Sequence, residues 1–140
     1  MSISYIAEGV TRPKLKFRTI SLWLKQIIKK YNRIPGDLTY IYCNDEYLKE
    51  INIRYLKHDY YTDIVTFDYC SDEIISGDMI ISLDRVKENS VLFNNNFTDE
   101  LLRVMVHGLL HLLGYLDSTE SEKETMRRIE SECILMYREI

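Results

Sequence analysis

His107 and His111 stand four residues apart within Leu101 to Leu113, a stretch that is apolar nearly all round. Four residues is about one helical turn, so both imidazoles fall on the same helix face. A helix of that composition is buried, and burying two imidazoles is costly unless each finds a partner. One divalent cation satisfies both rings at once, because this spacing lets two nitrogens converge on a point. Gly114 then follows, and after it Asp117. Glycine accepts the left-handed backbone that reverses a chain, so the Asp117 carboxylate can swing back to the same ion. His-x3-His-x2-Gly-x2-ligand is the spacing of metzincin-type metal sites. Here the third ligand is a carboxylate, an oxygen donor that zinc takes at a distance similar to an imidazole nitrogen. The alternative for Asp117 is that Asp117-Ser118-Thr119 is only the polar start of the last helix.

Three protein ligands leave a fourth position for water, the pattern of a catalytic rather than a structural ion. The expected cofactor is therefore one Zn2+ or a similar divalent cation, with His107, His111 and Asp117 as its ligands and a coordinated water as the reactive group. Gly108 occupies the position where His-Glu-x-x-His peptidases carry their general base, which disfavours peptide hydrolysis by that route. The sequence assigns no general base.

Several elements must position these residues. Phe17, Ile20, Leu24, Ile27, Ile28 and Tyr31 have helical spacing, and Pro35-Gly36 breaks that helix. Leu38 to Cys43 reads as a strand, and Asn44 or Asp45 can cap a helix to about Tyr55 with Leu48, Ile51 and Tyr55 inward. Asp63 to Tyr69 and Asp78 to Leu83 suit a hairpin with a long loop, and Ile3 to Tyr5 a short additional strand. A helix from about Asp84 to Phe93 precedes the site helix, for which Thr98 is the expected N-cap. Thr119 and Glu122 form a capping box for the last helix, which buries Met126, Ile129, Cys133 and Met136. Strands followed by helices, without regular alternation, indicate an α+β fold of roughly four strands and roughly five helices, with the metal site at the end of a buried central helix.

The chain has 140 residues, 46% of them hydrophobic, and no linker-like stretch, so residues 1–140 read as one domain able to build its own core. No apolar run is long enough to span a bilayer, and the first residues lack the basic-then-apolar order of a signal peptide. A cytoplasmic location is expected. Cys43, Cys70 and Cys133 follow no pairing pattern and read as small buried apolar residues. The net charge is −4, yet Arg12, Lys14, Lys16, Arg18, Lys25, Lys29, Lys30 and Arg33 face a single acid, Glu8, in residues 1–33. Such asymmetry suits a polyanion partner, whose backbone Arg12, Lys14, Lys16 and Arg18 would track. A solvated lysine-rich helix face is the other reading.

The stretch His107-Gly-Leu-Leu-His111-Leu-Leu-Gly114-Tyr115 resembles the His-Gly-x-Leu-His-Leu-x-Gly-Tyr-Asp-His motif of the YbeY family. Asn52-x-x-Tyr55, Asp59-x-x-Thr62-Asp63-Ile-Val-Thr-Phe67, Gly77-Asp78-Met-Ile-Ile and Met126-x3-Glu130 match it further, in order. The resemblance implies a mixed β-sheet packed with helices, a zinc-type ion in a cleft, and single-strand-specific endoribonuclease activity. It also implies ribosomal RNA as substrate, with a part in 16S 3′ end processing and ribosome quality control, and ribosomal subunit proteins as partners. No membrane association and no nucleotide cofactor are implied. Two positions depart from the family: Asp117 stands where a third histidine is usual, and Leu56 where an arginine that meets phosphate is usual. Arg54, Lys57 or His58 could supply that cation instead. The rival functions are a ribosome-assembly factor whose ion braces the helix end, and a zinc metallopeptidase.

Overall fold

Over the described residues, 2–57 and 61–140, the computed structural model resolves these patterns into four strands and five α-helices. In chain order they are β1 (Ile3–Ala7), α1 (Phe17–Lys30), β2 (Ile34–Cys43), α2 (Asp45–Ile51), β3 (Ile64–Asp68), β4 (Ile74–Ser82), α3 (Leu83–Leu92), α4 (Phe97–Leu112) and α5 (Glu120–Arg138). The sheet order is β1-β2-β4-β3; β1, β2 and β4 run parallel and β3 is antiparallel to β4. The mixed α+β fold expected from the sequence is therefore present, and the hairpin is β3–β4. Among the described residues no helix is long and apolar enough to cross a membrane.

Helix α1 buries Ile20, Trp23, Leu24, Ile27 and Ile28 and ends in Lys29 and Lys30, which suit the negative end of its dipole. The Trp23 indole donates to the Cys133 carbonyl at 2.7 Å, tying α1 to α5. From the sheet side the Tyr40 hydroxyl donates to the Met105 carbonyl at 2.9 Å, which anchors α4 over β2. Cys43 and Cys133 are buried and Cys70 is half-buried, all three as free thiols.

Four local expectations differ from the structure. Pro35-Gly36, read as a helix breaker, lies inside β2, where the register with β4 shifts between Pro35 and Leu38. Such an irregularity is where a strand can hold a proline. β4 begins at Ile74, ahead of the expected Asp78, because Ser71 bridges to Ile74 and makes the turn tight. Asn96, not Thr98, caps α4, its side chain accepting the Asp99 N–H at 2.8 Å. After α2 the chain passes into a π-helical turn, Asn52–Leu56, and the wider turn rephases the side chains. Asn52 becomes buried and Tyr55, expected inside, is exposed. The capping box of Thr119 and Glu122 on α5 forms as expected.

Glycines allow α4 to lie directly on the sheet. A Cβ at Gly108 would stand 2.7 Å from Met79 Cγ and 2.8 Å from Ile64 Cδ1, and one at Gly77 3.0 Å from Leu112 Cδ1 of α4. Position 108 thus faces the β3–β4 hairpin, so a peptidase-type glutamate there would point into the sheet. Gly108→Ala should destabilise the fold by about 1–3 kcal/mol, the usual cost of overpacking. Denaturant unfolding would measure it, and an unchanged midpoint would mean that Met79 and Ile64 give way freely.

Candidate metal centre

The two histidines lie on the last turns of α4, and the chain reverses immediately after them. Gly114, with φ of 102°, follows the C-cap residue Leu113. Its N–H donates to the His111 carbonyl at 3.0 Å, and the Tyr115 N–H to the Leu110 carbonyl at 3.0 Å. This pair of bonds is a Schellman motif. The Tyr115 ring meets Tyr31 edge-on at 5.8 Å, which fixes the returning segment against the end of α1. Asp117 comes back over the histidines.

His107 Nε2 and His111 Nε2 stand 3.0 Å apart, and Asp117 Oδ2 lies 3.2 Å from the first and 3.4 Å from the second. A tetrahedral site with bonds of about 2.0–2.1 Å has ligand–ligand edges of about 3.3 Å. The triangle of donor atoms therefore has the dimensions that a zinc-sized ion requires, and these three residues could hold one. The side chains are 23%, 29% and 39% exposed, so the cluster opens to solvent on one side. It lies in a cleft of about 670 Å³ alongside Leu56, Asp63 and Thr66.

A second carboxylate sets the state of His107. Glu130 on α5 is nearly buried, and its Oε2 lies 2.6 Å from His107 Nδ1. The Nδ1–H donating to this carboxylate leaves Nε2 as a lone pair aimed at Asp117 and His111, the carboxylate–histidine–metal arrangement of zinc sites. Glu130 Oε1 accepts from the Arg103 guanidinium at 3.1 Å, and Arg103 also donates to Ser131 Oγ at 3.2 Å. Arg103 thus holds the carboxylate that orients His107.

Burial disfavours a charged His107 ring, but the hydrogen bond and charge of Glu130, together with Asp63 and Asp117, outweigh it and raise the pKa above 6.5. Burial pushes the Asp63 carboxyl up, with the neighbouring His107 opposing. The native chain therefore holds the His107 proton more tightly than the unfolded chain does. This contribution to stability is complete below about pH 6.5 and is lost as pH rises through the raised native value. With a chelator present, wild type should lose melting temperature relative to His107→Gln as pH rises from about 6 to 8. A constant difference would contradict the pairing with Glu130.

The proposed RNA contacts are scattered. Arg12, Lys14 and Lys16 lie between β1 and α1 and Arg18 in the first turn of α1, next to β1, the edge strand of the sheet opposite β3. Three strand spacings, about 14 Å, separate those edges. Arg12 is engaged locally, its guanidinium 4.6 Å over the Phe17 ring. Arg54 and Lys57 are exposed around the π-helical turn and do not line the cleft, whereas Leu56 does. His58, like Asp59 of the family motif, lies outside the described residues. The sequence reading gave Glu130 no role beyond a motif match and passed over Arg103; only the register of α4 against α5 exposes their connection to His107.

Fold and cluster together define a class: α+β proteins with a His-His-carboxylate cluster at the end of a buried helix beside the edge strand of a mixed sheet. The family model described as Endoribonuclease YbeY matches residues 7–138. The chain is 43% identical over 136 residues to the Endoribonuclease YbeY of Bacteroides thetaiotaomicron, covering 97% of this chain and 99% of that one. It is 39% identical over 137 residues to that of Porphyromonas gingivalis, covering 98% and 91%. The solution structure of TM1509 from Thermotoga maritima superposes with a TM-score of 0.65 at 27% identity, over 99% of this chain and 93% of that one. This chain belongs to the YbeY family.

Proposed function

We propose that this chain is a single-domain, metal-dependent endoribonuclease that hydrolyses phosphodiester bonds of single-stranded RNA, with Zn2+ held by His107, His111 and Asp117. Ribosomal RNA in the cytoplasm is the substrate we assign, including 16S 3′ end processing, with ribosomal subunit proteins as partners. The observation that carries the reading is the triangle of three donor atoms, 3.0, 3.2 and 3.4 Å on its edges, open to a cleft. Membership in a family described as endoribonucleases supplies the substrate class.

When bound, such an ion supplies Lewis-acid polarisation of a phosphoryl oxygen and a lowered pKa for a coordinated water. The protein's own residues do the rest. His107 presents Nε2 in one tautomer because Glu130 takes the Nδ1 proton, and Arg103 keeps Glu130 in place. Asp117 contributes an anionic oxygen at a position fixed by the Gly114 reversal. The edge strand β3 forms one side of the cleft through Ile64, Val65, Thr66 and Asp68.

Purified protein should cleave single-stranded RNA, stop on chelation and recover on adding back Zn2+ or another divalent ion, with elemental analysis giving one ion per chain. Metal-dependent casein degradation without RNA cleavage would reverse the assignment to a peptidase. Activity that survives complete metal removal would remove the ion from the account.

A further inference from the structure

The metal cleft itself offers RNA little positive charge, since Leu56 stands where a cation would serve. A second cleft, of about 540 Å³, adjoins it: His107 and Asp63 line both. A polymer crossing the metal centre therefore has a continuous path into this second space.

The second cleft carries the carboxylates of Asp63, Glu100 and Glu130 and, beside them, an aromatic ring, an amide and two guanidinium groups. Phe93, just past α3, is 58% exposed at this cleft. Asn94 follows it in a left-handed turn with φ of 53°, and its side-chain amide makes no hydrogen bond among the described residues. Arg103 and Arg127 bring two guanidinium groups from α4 and α5. Arg103 is engaged by Glu130 and Ser131, but no carboxylate among the described residues pairs with Arg127. An exposed aromatic ring, an uncommitted amide and an uncommitted guanidinium around one cleft match the three parts of a nucleotide: a base face, a base edge and a phosphate.

We propose that this second cleft is a nucleotide-binding subsite that holds the residue of single-stranded RNA next to the one at the metal centre. The base stacks on Phe93, the Asn94 amide bonds its edge, and Arg127 meets the phosphate. The proposal rests on the reading of the chain as a ribonuclease and adds where the strand is gripped. Val91 and Leu92 are also exposed beside Phe93, and a run of three apolar residues would equally suit a protein partner. Phe93, however, is the one of the three that lines the cleft with the arginines, and a stacked base uses that placement.

The test is binding of a 2′-O-methylated single-stranded octanucleotide to the full-length, metal-loaded protein, followed by fluorescence anisotropy, with a gel confirming that the oligonucleotide stays intact. Phe93→Ala should weaken binding about tenfold, the scale of one lost base stack. Phe93→Trp should retain wild-type affinity, and its exposed indole should be quenched on binding, against the constant emission of the buried Trp23. Arg127→Gln should weaken binding and reduce the slope of log affinity against log salt by about 0.7. Wild-type binding with Phe93→Ala at full affinity would overturn the subsite and leave the ribonuclease reading standing. It would point instead to a protein contact at Val91–Phe93. Absence of binding by wild type in both this assay and RNA cleavage would remove the ribonuclease reading, and the subsite with it.

Discussion

His111→Ala is expected to take bound metal from one ion per chain to near none and to lower RNA cleavage about a thousandfold or more. Two of the three edges of the donor triangle end on His111 Nε2, at 3.0 and 3.4 Å. Removing it leaves one imidazole and one carboxylate, two ligands where a catalytic site needs three. Lewis-acid stabilisation is worth several kcal/mol, and each 1.36 kcal/mol is about tenfold in rate. His111 is 29% exposed at the side chain, so its truncation leaves no deep cavity and the fold should persist. Elemental analysis and circular dichroism on the same sample separate loss of metal from loss of structure. Metal lost with cleavage retained would mean a contaminating nuclease, and both retained would dissolve the site.

Glu130→Gln should follow with a 10- to 100-fold loss of metal affinity, the range for removing a partner of a metal-bound histidine. The change is nearly isosteric but inverts the hydrogen bond. Glu130 accepts the His107 Nδ1 proton at 2.6 Å. A glutamine can place its NH2 there instead, which stabilises the tautomer protonated on Nε2, and a protonated Nε2 has no lone pair for an ion. The Arg103 guanidinium, bonded to Glu130 Oε1 at 3.1 Å, favours the carbonyl on its own side and so reinforces the wrong orientation. Competition with a chelator whose affinity is known measures the loss. The defect should be largest at neutral pH and narrow under acid conditions, where protonation of His107 already weakens wild type. Equal affinities for wild type and variant across pH would show that Glu130 only braces the two helices.

Much of this centre is readable from local sequence because the physics that builds it is local. The spacing of His107 and His111 sets their shared face wherever a helix forms, and Gly114 is the residue that makes reversal easy. Its Schellman bonds reach back only to Leu110 and His111. The capping box at Thr119 likewise spans four residues. The phase error at Tyr55 marks the boundary of that legibility: the π-helical turn at Asn52–Leu56 arises where the chain must bury Asn52 and turn Leu56 to the cleft, and no residue pattern announces it.

Residue types and short spacings alone determined that two imidazoles and a carboxylate can converge, and that an α+β core surrounds the helix presenting them. Only tertiary packing decided what tunes them. Glu130 reaches His107 across 23 residues of sequence and Arg103 reaches Glu130 across 27. Gly108 proved to be a contact surface for Met79 and Ile64, not an open catalytic position. The connection carrying Arg12, Lys14 and Lys16 follows β1, the edge strand away from β3, while Phe93 and Arg127 were drawn to a cleft that His107 also lines. Turns, caps and helix faces follow from bonds between near neighbours, whereas the meeting of distant helices depends on how the whole core closes, which no short window of sequence encodes.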